Sequence, residues 1–207
     1  MTHDRHGRRR RLPLGLIALP LVIAACSSSA TVDPTGIGLT ARGDAPAASL
    51  EPSPSTEAAS AQDAWLEIEL TDVASGDPFT LASLAGQVVA IEPMAIWCTN
   101  CRAQQDNVRQ IYDEIAAAGV RYISLGVEPN ERPRALAAYA ERRGYAWTFA
   151  QSPTEMSRVL DEIFGPQILA VPSTPLIVLD ESGEIVFQDF GFHGPEALLD
   201  ILAEASA

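Results

Sequence analysis

The hydrophobic pattern of this chain becomes regular only after about residue 63, and the predicted elements all lie in that second part. A nearly continuous apolar run at 88–94 predicts a buried strand. The segment that follows it, 99–118, predicts an amphipathic helix, because Val108, Ile111 and Ile115 recur at helical spacing. The centre of the domain is therefore expected to be a buried strand that leads directly into a long helix.

The other elements alternate between the two types. Their order predicts an α/β sandwich whose mixed central β-sheet is flanked by helices, with an N-terminal β extension. Pro93 interrupts the central strand, where a kink or bulge is expected because proline has no N–H to donate. The further predicted strands are 65–70, 79–81, 120–127, 145–149, 176–179 and 184–187, and the further predicted helices are 134–143, 154–164 and 196–203.

The first 25 residues have the features of an export signal. Four consecutive arginines at 8–11 precede an apolar stretch at 12–23, and two alanines form a small-residue exit. The apolar stretch is short and is broken by prolines, which makes a retained membrane-spanning helix the weaker alternative. Residues 1–25 are therefore interpreted as a signal peptide.

The residues around the predicted cleavage point, Ile23-Ala24-Ala25-Cys26, resemble the lipobox of bacterial lipoproteins. This resemblance implies cleavage before Cys26 and attachment of lipid to its sulfur, which would anchor the protein to a membrane. The alternative is ordinary cleavage, which leaves Cys26 as a free thiol. The segment 26–62 is rich in Ser, Ala and Pro, so beyond Cys26 it is predicted to be a disordered tether to a folded domain at 63–207.

The charge of the chain limits the classes of partner. Without residues 1–25 it has 9 basic and 26 acidic side chains, a net charge of −17. Such a surface disfavours binding to nucleic acid or to anionic lipid headgroups. No nucleic acid partner is therefore expected.

The candidate chemistry lies at residues 97–101, Trp-Cys-Thr-Asn-Cys, between the predicted buried strand and the predicted helix. Cys98 is expected to be an exposed nucleophile at the helix N-terminus, where unpaired N–H groups favour a thiolate. Cys101 lies about one turn later on the same side, so the two sulfurs could form a disulfide.

Two other interpretations of this cysteine pair are a static cross-link and half of a metal site. A four-ligand zinc site is hard to complete, because the chain has no second C-x-x-C. A reversible redox pair is the preferred hypothesis, and no metal or cofactor is expected. The histidines of the chain are His3, His6 and His193.

Three motifs in sequence order resemble the thioredoxin-like superfamily over about residues 65–205. The segment 97–101 matches the W-C-x-x-C motif, and 171–176, Val-Pro-Ser-Thr-Pro-Leu, matches the segment that carries the cis-proline of the family. The lead-in at 79–89 is similar to that of the membrane-anchored, extracytoplasmic TlpA/ResA type. The resemblance implies a thioredoxin fold.

The resemblance also implies roles for single residues. Pro175 would be the cis-proline, and it would bring Thr174 beside the cysteines, where the Thr174 backbone pairs with a substrate strand. Glu92 would be a buried acid with a raised pKa that exchanges a proton with Cys101. Trp97 would cover one flank of the disulfide and contact the substrate, and it is also expected to pack in the core.

The implied function is that of a thiol-disulfide oxidoreductase outside the cytoplasm, anchored to the membrane by lipid on Cys26. It would reduce disulfides of exported proteins and would be recycled by a membrane thiol transporter. Asn100 stands where many relatives have proline, so a disulfide-forming oxidant is an alternative. A copper-handling protein that uses Cys98, Cys101 and His193 is another, although copper-delivery relatives have three residues between their cysteines.

Overall fold

The computed structural model describes residues 64–207. The predicted signal peptide, the lipidation of Cys26 and the predicted tether lie outside these residues. Within the described part of the chain, no helix combines the length and the apolar character needed to cross a membrane.

The elements of residues 64–207 follow the predicted order, with most boundaries within three residues of the prediction. The strands are β1 (Leu70–Thr71), β2 (Pro78–Phe79), β3 (Val89–Met94), β4 (Arg121–Gly126), β5 (Thr148–Gln151), β6 (Pro175–Leu179) and β7 (Ile185–Phe190). The α-helices are α1 (Thr99–Ala117), α2 (Pro133–Arg143), α3 (Thr154–Phe164) and α4 (Pro195–Glu204).

The main sheet has five strands in the order β5-β4-β3-β6-β7. Strands β3, β4 and β5 are parallel to one another, whereas β6 is antiparallel to both β3 and β7. Strands β1 and β2 form a separate antiparallel pair, which is the expected N-terminal extension. The mixed sheet confirms the predicted fold class.

The central strands β3 and β6 are buried along their whole length. Their almost continuous apolar sequences are typical of strands with neighbours on both edges and other elements on both faces. Helix α1 buries Val108, Ile111 and Ile115, the apolar face predicted from its spacing. The first turn of α1 is thereby fixed at the end of β3, where the two cysteines lie.

The predicted strand at 65–70 is wrong over most of its length. Trp65–Glu67 form a 3-10 helical turn, and the strand begins only at Leu70. The ring of Trp65 is buried and packs edge-on against Phe164 of α3, with 6.1 Å between the ring centroids. Burial of this large ring, rather than an alternating pattern, determines the local backbone.

The kink expected at Pro93 is also wrong. Pro93 pairs in continuous register with Leu125 of β4, and the pairing of β3 with β6 already ends at Ile91. The missing N–H of Pro93 therefore removes no hydrogen bond to β6, and the strand runs on to Met94.

Candidate functional site

Cys98 and Cys101 are joined by a disulfide at the N-terminus of α1, with 5.4 Å between their Cα atoms. Cys98 is the N-cap residue, and its Sγ accepts a hydrogen bond from the Cys101 N–H at 3.1 Å. An N–H group that would otherwise lack a partner therefore points at this sulfur. In the reduced protein, the same group and the helix dipole would stabilise a thiolate on Cys98.

The expectation that Cys98 is exposed is wrong for this oxidised form. Cys98 is 1% exposed and Cys101 is fully buried. The turn Val171–Ser173 covers them, because the carbonyl oxygen of Val171 lies 3.6 Å from the Cys98 sulfur and 3.3 Å from the Cys101 sulfur. A thiol can attack this disulfide only after the turn moves.

Asn100 ties this covering turn to the active-site helix. Its Nδ2 donates a hydrogen bond of 2.7 Å to the carbonyl oxygen of Pro172. One of the two middle residues of the C-x-x-C motif thus contacts the segment that the sequence resemblance placed beside the cysteines. The contact joins two parts of the chain that are 72 residues apart.

Pro175 is not a cis-proline, since no peptide bond in residues 64–207 is cis. Thr174, before it, instead adopts a left-handed backbone conformation with φ 48° and ψ 62°. Its N–H donates to Val171 O at 2.9 Å, and its carbonyl accepts from the Gly191 N–H at 3.4 Å. The Thr174 N–H can therefore pair with a substrate only if its bond to Val171 breaks, whereas the Thr174 carbonyl can accept a second hydrogen bond.

Glu92 lies on β3 and is 1% exposed. Burial raises its pKa from 4.5 to about 8, although hydrogen bonds to the carboxyl group act in the opposite direction. The donors are Ser124 at 3.2 Å, Tyr122 at 3.4 Å and Gln105 at 3.5 Å. Near neutral pH this carboxyl group can therefore both give and accept a proton.

Gln105 connects this carboxyl group to the helix of the cysteines. It lies four residues after Cys101, on the same face of α1, and it is fully buried. Its Oε1 accepts a hydrogen bond of 2.6 Å from the Tyr139 hydroxyl, which orients Nε2 toward Glu92. A second chain of donors runs from the Trp147 indole N–H through Ser124 Oγ to the same carboxyl group.

The sequence analysis missed these partners of Glu92. The signal in the sequence was a glutamine on the apolar face of α1, one turn from Cys101 and next to Val108. A polar side chain at a core position needs a partner, and a buried acid is a suitable one. The partners on β4 and α2, Ser124 and Tyr139, carry no comparable sequence signal.

Trp97 is 59% exposed, so it does not form part of the core. Its indole N–H donates to Glu128 Oε2 at 3.1 Å. The neighbouring Ile96 N–H donates to Glu131 Oε1 at 2.6 Å. Two glutamates after β4, neither singled out in the sequence, therefore hold the turn that leads into Cys98.

The loop after β7 is held by α1 and carries a second exposed aromatic side chain, Phe192, which is also 59% exposed. Gln104 accepts a hydrogen bond from the His193 N–H at 2.9 Å, and Asn107 donates to the His193 carbonyl at 2.8 Å. The imidazole of His193 lies 3.3 Å from Asp189 Oδ2. In residues 64–207 no three His, Cys, Asp or Glu side chains are grouped as possible metal ligands.

The sequence matches no protein-family model and no curated protein. Among solved structures, it is similar to a thiol:disulfide interchange protein of the thioredoxin family from Chlorobium tepidum TLS. The TM-score is 0.56 at 22% identity, over 67% of this chain and 92% of that chain.

Two further solved structures of disulfide oxidoreductases are similar to this chain. A secreted Mycobacterium tuberculosis disulfide oxidoreductase homologous to E. coli DsbE gives a TM-score of 0.54 at 17% identity, over 69% of this chain and 98% of that one. The thioredoxin domain of a thiol-disulfide oxidoreductase from Bacteroides vulgatus gives 0.50 at 16% identity, over 65% and 92%. Residues 64–207 therefore have the thioredoxin fold.

Proposed function

We propose that this protein is a thiol-disulfide oxidoreductase whose redox pair is Cys98 and Cys101. The observation that carries the proposal is a disulfide at the N-terminus of a helix, with a buried acid of raised pKa on the adjoining strand. Static cross-links need neither a helix N-terminus nor an acid that titrates near neutral pH. The likeness to disulfide interchange proteins supports the same conclusion.

The reaction begins from the reduced pair. The Cys98 thiolate attacks one sulfur of a substrate disulfide, forms a mixed disulfide and releases the other substrate sulfur as a thiolate. Cys101 then loses its proton and attacks the Cys98 sulfur, which releases the second substrate thiolate. The substrate gains two electrons, and the protein returns to the disulfide form seen in the structure.

Glu92 is proposed to receive the Cys101 proton. A carboxylate accepts a proton from a thiol readily only if its pKa approaches that of the thiol, about 8.5, and burial raises the Glu92 pKa to about 8. Gln104, three residues after Cys101, is an amide and cannot share this role.

The proposal predicts that the purified chain accelerates the reduction of insulin by dithiothreitol. The measurement is the onset of turbidity with wild-type protein, with the double variant Cys98→Ser/Cys101→Ser as the control. Equal onset times for the two proteins would contradict the proposed activity.

The proposed direction is reduction of disulfides in exported proteins. The reduction potential, measured by redox equilibration with thioredoxin as a protein partner of known potential, should lie near that of thioredoxin, about −270 mV. A value near −120 mV would instead make the protein an oxidant, the alternative that Asn100 raised.

We also propose that the protein acts outside the cytoplasm, held to the membrane by lipid on Cys26, with a membrane thiol transporter as its reductant. The lipobox-like sequence at 23–26 supports the anchor. Cys26→Ala is expected to move the protein from the membrane fraction to the soluble fraction of cells. If wild-type protein is already soluble, the anchor is refuted and the redox proposal is unaffected.

A further inference from the structure

The loop between β4 and α2, residues 127–132, is joined to the turn before Cys98 by the hydrogen bonds from Ile96 and Trp97 to its two glutamates. Only one carboxyl oxygen of Glu131 takes part. The other, Oε2, is enclosed and has no hydrogen-bond partner within residues 64–207. Enclosed polar atoms without partners are rare in proteins, so this oxygen requires an explanation.

A second enclosed oxygen without a partner, Oε1 of Gln151, lies on β5. The orientation of this amide is fixed, because its Nε2 donates to the carbonyl oxygens of Gly126 at 2.9 Å and Glu128 at 3.2 Å. Rotation of the amide by 180° would place its oxygen against these two acceptors.

The two unpaired oxygens border the same small space beside the α-carbon of Gly126. A methyl group placed there would lie 3.2 Å from Gln151 Oε1 and 3.5 Å from Glu131 Oε2. Two acceptors that share an enclosed space without a donor are unfavourable. A proton on Oε2 of Glu131 would make this oxygen a donor, with the Gln151 amide oxygen as its acceptor.

We propose that Glu131 is a positioning residue that works in its neutral form: its Oε2–H donates to Gln151 Oε1, while Oε1 accepts the Ile96 N–H. The neutral carboxyl group would thus link β5 to the turn that carries Cys98. The effect of Glu131 on disulfide exchange depends on the proposed function being correct. The protonation of Glu131 does not depend on it.

The surroundings of Glu131 favour the neutral form. Burial raises its pKa, the Ile96 N–H lowers it, and the nearby carboxylate of Glu128 raises it. Two uncharged groups from other segments lie at this carboxyl group: the Ile96 N–H donates to its Oε1, and the Gln151 amide oxygen borders the same space beside Gly126 as its Oε2. The charged group that acts on its pKa is Glu128.

Ionisation of Glu131 would place a negative charge on Oε2, next to the Gln151 oxygen and near Glu128. This repulsion would move the loop away from the active-site turn. Exchange by Cys98 should therefore slow as the pH rises through the raised pKa of Glu131. This decrease should be caused by Glu131 and not by Glu92 or the thiols.

The direct test is carboxyl carbon NMR of the oxidised chain, labelled with 13C-glutamate. The Glu131 resonance, identified by its absence from Glu131→Gln, should keep its protonated position at a pH at which the glutamate of a short model peptide is ionised. An ionised Glu131 at that pH would overturn the proposal. This readout does not depend on any catalytic activity.

Two substitutions test the positioning role. Glu131→Gln supplies an N–H to Gln151 and an oxygen to Ile96, so it should keep the exchange rate that wild-type protein has with Glu131 neutral, and it should lose the decrease caused by ionisation of Glu131. Glu131→Leu removes both hydrogen bonds and should lower the rate about tenfold at every pH, the effect of one or two lost hydrogen bonds. If Glu131→Gln is as slow as Glu131→Leu, neutral Glu131 does not position the turn.

Discussion

Replacing Cys98 with serine should abolish disulfide exchange, with a loss of about a thousandfold or more, as expected when a catalytic nucleophile is removed. Cys98 is the cysteine whose sulfur receives the N–H at the start of α1. Cys101 lies within the first turn of the helix, whereas Cys98 is its N-cap residue. Insulin reduction measured for Cys98→Ser and for wild-type protein gives the comparison.

Replacing Cys101 with serine should also stop turnover, but at a different step. Cys98 can still attack a substrate disulfide, and the mixed disulfide then persists because no second thiol releases it. Non-reducing electrophoresis should show covalent adducts for Cys101→Ser and none for Cys98→Ser, and mass spectrometry of the adducts identifies the substrates. The matched control is Cys26→Ser, which should turn over normally. Adducts formed only through Cys101 would reverse the assigned roles.

The stability of the protein should fall as pH rises from about 4.5 to about 8, because of Glu92. In this range the folded protein keeps the proton of this buried carboxyl group, whereas the unfolded chain has lost it. Stabilisation by the neutral carboxyl is complete below pH 4.5 and is lost as the pH approaches 8. The shift of the pKa from 4.5 to about 8 corresponds to about 5 kcal/mol of unfolding free energy.

The measurement is urea unfolding of the oxidised protein between pH 4 and pH 9, compared with Glu92→Gln. The glutamine has no proton to lose, so its unfolding free energy should lack this decrease, and the difference between the two proteins isolates Glu92. An exposed glutamate, Glu141→Gln, is the matched control and should follow the wild type. Parallel curves for wild type and Glu92→Gln would show that Glu92 has an ordinary pKa.

The elements that sequence patterns predicted well are those whose burial is simple. The apolar run of β3 and the helical spacing of α1 gave both elements correctly, since each buries a continuous surface. The predictions that were wrong concern segments whose structure depends on single side chains. Trp65 packs against a helix about 100 residues further along the chain, and no local pattern contains that partner.

In the candidate site, too, some features could be predicted from the sequence and others could not. The family resemblance placed Thr174 of the proline segment beside Cys98 and Cys101, and it placed Glu92 near Cys101. The sequence carries that information in the order of its motifs. It could not predict that the covering turn closes over both sulfurs, since this depends on the left-handed Thr174. The two glutamates after β4 could not be predicted, because their importance comes from hydrogen bonds to a different segment. One bond is from the backbone N–H of Ile96 and the other is from the indole N–H of Trp97.

The turn over the disulfide has a consequence for selectivity. Glutathione and other small thiols would meet the sulfurs only during brief openings, whereas a protein partner could use its binding surface to displace Val171 and the residues after it. The proteins that dock on this surface would then determine the oxidation state of Cys98 and Cys101. The pair need not reach equilibrium with the surrounding small thiols. Access, in addition to potential, would decide the direction of electron flow.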